Sequence, residues 1–221
     1  MIEHQLWVFV HILLFVYWLG GDLGVFLLAK AAKRPDLSFA ERAFALRMAI
    51  MIDLVPRLCF AIMFPVGLHV TASGGFAVIP NWALVLAWGV ALAWITLLFA
   101  IGKHEGTARG AQLGHFNLIL QGLLFLSIGT LGVTALLGLG PLPGGWFGAK
   151  VLLFAVIFAA SIGIDLAFRP IGPAFAELAT RGSQPEIEQP ISRAVDGAIR
   201  YVLALYGLIV IIAFLGVTKI F

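Results

Sequence analysis

Long apolar segments follow one another along most of this chain, and they constrain its fold more than any other feature. A membrane-spanning helix needs about 20 apolar residues, and six segments meet this length, at 6–29, 48–70, 82–101, 113–139, 146–168 and 198–217. Hydrophobic residues make up 62% of the 221 residues and charged residues 11%, where soluble proteins have roughly 25% charged residues. The sequence therefore predicts an all-α integral membrane protein, with residues 1–221 forming one transmembrane domain of six helices.

Loop and breaker residues mark the ends of the predicted helices. Ser38 and Glu41 have the spacing of a capping box, which predicts that the second helix begins there. Pro56 and Pro65 predict kinks or local unwinding in the second span. The polar stretch 177–193 is expected to be a surface loop or a short interfacial helix. The N-terminus lacks the basic region of a signal peptide, so the first apolar segment is expected to be a retained helix.

Lysine and arginine are unevenly distributed between the two ends of the predicted helices. Lys150 and Lys219 lie at one end, Arg57 lies inside the second span, and eleven others lie in or beside the loops after the first, third and fifth spans. Cytoplasmic loops carry the excess of Lys and Arg. Both termini are therefore predicted on the non-cytoplasmic side of a bacterial inner membrane. The eleven are Lys30, Lys33, Arg34, Arg42, Arg47, Lys103, Arg109, Arg169, Arg181, Arg193 and Arg200.

The first span carries a histidine and a carboxylate on one face. His11, Phe15, Trp18 and Asp22 are offset by 0, 4, 7 and 11 residues, which places them on one side of a helix. An ionisable side chain in hydrocarbon costs roughly 2.5 to 3.5 kcal/mol on insertion scales, so such residues usually face the protein interior. At 1.5 Å per residue, His11 and Asp22 lie about 16 Å apart along the helix. The sequence thus predicts two polar levels.

The outer level, near the non-cytoplasmic side, contains His11, His69 and Lys150. Two neutral histidines on facing helices can hold a haem iron, and a lysine at the same depth can pair with a propionate. This pattern predicts haem b with His11 and His69 as metal ligands, and with Lys150 and Trp18 beside the cofactor. The alternative is that His69 is an interfacial histidine and that Lys150 extends to water.

The inner level contains Asp22, Asp53 and Arg57. A membrane-embedded arginine needs a carboxylate, so one interpretation is a structural ion pair. The other is a proton path or a quinone site, in which these three residues are catalytic and exchange protons with the ligand. The spacing leaves both interpretations open.

Further polar residues lie at the cytoplasmic ends of the later spans. His104 and His115 are candidates for a second haem, and the alternative is a solvated loop histidine and a helix-packing face. Asp165 with Arg169, and Asp196 with Arg200, are spaced four residues apart. This spacing predicts a local ion pair in each case.

Two short motifs resemble a known membrane protein family. The first helix has His11, then Trp18 seven residues later, then Leu19, Gly20 and Gly21, and a later helix begins WFGAKVLL at Trp146. This pattern is similar to the family that contains the copper-resistance protein CopD and the protoporphyrinogen oxidase HemJ. The resemblance implies a haem b held by His11, with Lys150 near the haem or its substrate. HemJ-like proteins continue with Pro-Arg where this chain has Asp22-Leu23, so haem binding is the property carried over.

These observations lead to a hypothesis and two rivals. The hypothesis is a haem b protein that passes electrons between a substrate or partner protein and the quinone pool. The rivals are a copper-handling or small-solute transporter and a structural subunit of a larger complex. The methionines do not cluster on the outer side, which disfavours copper transport. The expected partners are the lipid bilayer and a quinone or redox protein; a homo-oligomer is left open, and nothing indicates nucleic-acid binding.

Overall fold

The computed structural model describes residues 2–220 as an all-helical bundle, with no β-strand in that range. Six helices are long and apolar enough to cross a membrane, so this is a multi-pass membrane protein in contact with lipid. A short seventh helix, α6, lies between the last two of them. The helices are α1 (Ile2–Ala32), α2 (Phe39–Ser73), α3 (Asn81–Lys103), α4 (Ala108–Leu136), α5 (Gly145–Phe168), α6 (Ile171–Arg181) and α7 (Pro185–Thr218).

The six long helices form a ring in chain order. Each packs against the next, from α1 to α5, then α5 packs against α7, and α7 returns to α1. Side chains of α2 and α5 meet across the interior, where Phe60 contacts Phe154 and Phe158 with ring centroids 5.6 and 4.4 Å apart. The ring therefore encloses an aromatic centre that also includes Trp18 and Trp94.

Local sequence signals account for the helix boundaries. The predicted capping box is confirmed, because Ser38 accepts from the Glu41 backbone and the Glu41 carboxylate accepts from the Ser38 backbone. The second helix remains helical through both Pro56 and Pro65, so no break occurs there. The last helix begins at Pro185, which is earlier than predicted, because proline suits the first turn of a helix, where its missing N–H is not needed.

The helix α6 turns one apolar face towards the bundle. Its buried residues are Ile171, Ala174, Phe175 and Leu178, which is the spacing of one helix face. This face packs with residues of α1, α2 and α7 in a second apolar cluster. Of the two predictions for 177–193, the short helix is thus closer to the structure: α6 ends at Arg181, and α7 begins at Pro185.

Glycines allow the closest helix contacts. A Cβ atom at Gly132 would lie 2.6 Å from the Leu152 backbone nitrogen, so α4 and α5 approach closely there. On the other side of the ring, a Cβ at Gly21 would lie 2.8 Å from the Pro56 ring. Since real Cβ contacts are longer, both positions require glycine at the present helix spacing.

Contacts between chain ends and loops define the two ends of the bundle. At one end, called here the terminal end, His4 Nδ1 lies 3.0 Å from Ser73 Oγ and Lys219 Nζ lies 4.8 Å from the Phe76 ring centre. At the other, called here the basic end, Arg42 forms an ion pair with Glu188. Both described chain ends therefore lie at the same end of the bundle, as an even number of spans requires.

Candidate functional site

The interior near the basic end contains a network of ion pairs centred on Arg57. Its Nε donates to Asp53 on the same helix at 2.5 Å, and its Nη2 donates to Asp165 of α5 at 2.8 Å. The side chains keep 29% exposure for Arg57, 30% for Asp53 and 17% for Asp165. Asp53 and Arg57, which were predicted to lie at the same level, thus form an ion pair. Asp165, from the other side of the ring, adds a second carboxylate to it.

Two amides from α4 complete the environment of Asp165. Asn117 Nδ2 and Gln121 Nε2 donate to Asp165 Oδ2 at 3.2 and 3.1 Å. Asn117 Oδ1 in turn accepts from the indole nitrogen of Trp94 at 2.8 Å. Asn117 and Gln121 are 3% and 1% exposed. Their spacing of four residues in an apolar helix is the signal that points to a buried polar face.

The two local ion pairs predicted at helix ends, Asp165 with Arg169 and Asp196 with Arg200, are wrong. Asp165 pairs with Arg57 rather than with Arg169, because its side chain turns into the bundle while Arg169 is exposed at the end of α5. Asp196 pairs with Lys33 of the first loop rather than with Arg200. In both cases the carboxylate forms its ion pair with a cation from another part of the chain. Residue spacing along one helix cannot predict such a pair.

Asp22 approaches this network from α1. Its neighbours Gly21 and Gly24 face Pro56 and Ile52 of α2, which flank Asp53. Asp22 lies within electrostatic range of Asp53 and Arg57. It has no salt bridge within residues 2–220, in contrast to Asp53 and Asp165. The three predicted inner residues are therefore neighbours, but Asp22 lies outside the ion pair.

His11 lies in the terminal half of the bundle, on the inward face of α1. Trp18 on that face is 3% exposed and packs against Phe60, with ring centroids 4.8 Å apart. The His11 Nδ1 atom is buried and has no hydrogen-bond partner among the described residues. The position opposite is Gly67, where a Cβ would lie 3.6 Å from His11 Cε1. The imidazole thus has an unused nitrogen inside the bundle.

Lys150 reaches the same region from the first turns of α5. Its Nζ lies over Gly216 of α7, where a Cβ would come within 2.7 Å, and its charge is within electrostatic range of His11. Among residues 2–220 no carboxylate lies within 4.0 Å of this Nζ. A cation among apolar helices without a counter-charge favours an anionic partner.

His69 is held by two tryptophans. The Trp7 ring stacks on the imidazole with centroids 3.9 Å apart and planes 9° apart, and Trp88 Nε1 donates to His69 Nε2 at 3.1 Å. The Nε2 atom is therefore an acceptor, which places the proton of the neutral ring on Nδ1. His69 as an iron ligand stays a prediction, and ligation through Nε2 would require this atom to leave Trp88.

The other two histidines lie at the surface near the basic end. His104 ends α3 and its carbonyl accepts from Thr107, while His115 is exposed on α4. Within the described chain, no group of three or more His, Cys, Asp or Glu side chains is arranged to hold a metal ion. The second haem at His104 and His115 stays a prediction that no contact supports.

The fold and these contacts define a membrane protein with six long helices, with a half-buried ion network near one end and, near the other, a histidine and a lysine that have no polar partner within residues 2–220. Comparisons with protein-family models, with curated proteins and with solved structures found no match to this chain. Its function is therefore argued from its own residues.

Proposed function

We propose that the protein is a haem b protein of the bacterial inner membrane that passes electrons between a substrate or partner protein and the quinone pool. The observation that carries this proposal is the buried, unpaired Nδ1 of His11. A buried polar atom without a partner costs roughly 1 to 3 kcal/mol. An iron ligated by this imidazole would use the atom, and the facing residue, Gly67, has no side chain to crowd the ring.

Lys150 supports the same cofactor. Haem b carries propionates, and a carboxylate near Lys150 Nζ would supply the counter-charge that residues 2–220 do not provide. His11 and Lys150 lie on α1 and α5, the two helices that flank α7 in the ring, so one cofactor touching both would link these two helices. When bound, haem would supply one-electron transfer; His11 would orient it, Lys150 would hold a propionate, and the aromatic residues of the bundle centre would exclude water.

The inner network is the proposed polar end of a quinone site, with Asp22, Asp53 and Arg57 as its hydrogen-bonding groups. His11 would hold the haem near the terminal end, and these three residues would hold the quinone oxygens near the basic end. The orientation with both termini outside the cytoplasm follows from the excess of lysine and arginine at the basic end. In this orientation the proposed quinone site would face the cytoplasm.

The reduced absorption spectrum of the purified protein tests the proposal. Wild-type protein in detergent is expected to show a haem b spectrum after dithionite reduction. His11→Ala should lose it, and Lys150→Gln should weaken haem retention during purification. His4→Ala is the control, since His4 contacts Ser73 at the terminal end and is not a proposed ligand, and it should leave the spectrum unchanged. A colourless wild-type protein, purified after growth with a haem precursor, refutes the proposal.

The second axial ligand is tested separately. If His69 ligates iron, His69→Ala should convert the spectrum from six-coordinate to five-coordinate iron, while Trp88→Phe should leave ligation intact. If His69→Ala leaves the spectrum unchanged, His69 is no ligand and its role is the Trp7 and Trp88 contact.

A transporter is the second candidate, and the charges inside the membrane are the observation that favours it. Transporters place ionisable side chains along a substrate path within the bundle. Metal analysis separates the two candidates, because stoichiometric copper in protein that lacks haem supports transport and excludes the redox proposal.

A further inference from the structure

The network around Arg57 contains more carboxylates than cations. Asp22, Asp53 and Asp165 surround one guanidinium, and no other lysine or arginine within residues 2–220 forms an ion pair with any of them. Ionised groups in a membrane interior are costly unless they are paired. With all three carboxylates ionised the group has two net negative charges, and binding of one proton reduces this to one.

Asp22 forms fewer ion pairs and hydrogen bonds than the other two carboxylates within the described residues. Arg57 bonds to Asp53 and Asp165, and Asp165 also receives the two amide donors from α4. Asp22 has none of these bonds. The groups in range of its carboxyl are the Trp18 indole one turn earlier on α1, Asp53, Arg57 and Cys59 of α2, and Tyr206 of α7.

Two unpaired polar atoms give independent evidence that the network binds something further. Gln121 is 1% exposed, and while its Nε2 donates to Asp165, its Oε1 has no donor within the described residues. The Tyr206 hydroxyl is likewise buried without a partner. An acceptor such as Gln121 Oε1 requires an N–H or O–H group. Water carrying a proton into the network would supply one.

We propose that the network is a proton-binding site and that Asp22 carries its exchangeable proton. In the binding step a hydronium ion transfers its proton to a carboxylate oxygen of Asp22, which forms the O–H bond and leaves a water molecule. Release is the reverse step. The proposal depends on the ion network and not on a haem at His11.

A proton fits this site better than a metal cation. The Arg57 guanidinium, which lies between Asp53 and Asp165, would repel a metal ion, and no three ligating side chains converge among residues 2–220. A proton needs only one carboxyl oxygen. The exposed fractions of Arg57 and Asp53, close to 30%, indicate that the network is not sealed.

Infrared spectroscopy of the full-length protein in lipid vesicles tests the proposal. A protonated carboxylic acid gives a carbonyl stretch that is separate from the carboxylate bands and shifts in D₂O. At neutral pH the wild type is expected to show this band and to lose it as pH rises. Growth with ¹³C-aspartate should shift the band, which assigns it to aspartate without any substitution. The chain has five aspartates to which this label applies.

Variants then assign the band to one residue. Asp22→Asn should remove it, whereas Asp196→Asn, at an exposed carboxylate paired with Lys33, should leave it unchanged. Absence of an aspartic acid band in the labelled wild type at neutral pH overturns the proposal even if Asp22→Asn fails to fold. Loss of the band on adding Na⁺ at fixed pH also overturns it, in favour of a metal-cation site. Colourless protein that retains the band refutes only the haem proposal.

Discussion

Replacing Arg42 by methionine tests whether a buried ion pair holds the basic end together. Arg42 is 1% exposed, and its guanidinium donates to both Glu188 oxygens, at 2.7 and 2.8 Å, and to the Ala32 carbonyl at 2.9 Å. It thereby joins the end of α1, the start of α2 and the start of α7. Methionine retains an apolar stem and removes all three donations.

The expected cost follows from these contacts. Removing one partner of a buried ion pair costs about 3 to 5 kcal/mol. Glu188 is 20% exposed and keeps the Ser183 hydroxyl as a donor, which favours the lower figure. The Ala32 carbonyl loses a bond worth roughly 1 kcal/mol. We expect Arg42→Met to lower the free energy of unfolding by about 4 kcal/mol.

Unfolding in mixed detergent and dodecyl sulfate micelles, followed by circular dichroism, measures this change. Arg34→Met is the matched control, because Arg34 and its partner Asp36 are 58% and 59% exposed, and exposed pairs contribute little to stability. Adding Glu188→Leu to Arg42→Met should recover part of the loss, since no buried charge is left unpaired. Equal losses for Arg42→Met and Arg34→Met would show that the buried pair is not what stabilises this end.

Two smaller perturbations test other contacts by the same unfolding assay. Gly132→Ala places a methyl group against the Leu152 backbone and should lower the free energy of unfolding by about 1 to 3 kcal/mol. The control is Gly122→Ala, which has nothing within 4 Å of the added methyl group and should be neutral or stabilising. Equal effects of the two substitutions would contradict the close α4–α5 contact. Trp88→Phe removes the hydrogen-bond donor to His69 Nε2 and should lower the free energy of unfolding by about 1 kcal/mol. The NMR resonances of the His69 imidazole should shift in this variant, and unchanged resonances would contradict the contact.

Fold class and span number were predictable because they depend on apolar length alone. The Ser38 and Glu41 capping box was also predictable, since both partners lie within one turn. The start of α7 was missed because its first turns are polar and contain two prolines. Those turns are held by packing against α6 and by Glu188, and neither contact is visible in local sequence.

The sequence predicted the depth of the site residues along the helices, but it did not predict which residues form ion pairs. Counting residues along antiparallel spans placed Asp22, Asp53 and Arg57 at one level, and the structure brings them together. Counting could not show that α5 lies across the ring from α2. For this reason Asp165 was assigned to Arg169, four residues away, although its partner is Arg57.

The aromatic centre lies between the two polar levels on three helices. On α1, Trp18 falls between His11 and Asp22; on α2, Phe60 falls between Arg57 and Gly67; and on α5, Phe158 falls between Lys150 and Asp165. Apart from the indole N–H groups, these rings have no group that could relay a proton. Their apolar packing does not prevent electron transfer over short distances. Protons bound at the basic end are therefore expected to exchange with water on that side only. A redox reaction at His11 would then couple to Asp22 through charge and not through a continuous proton path.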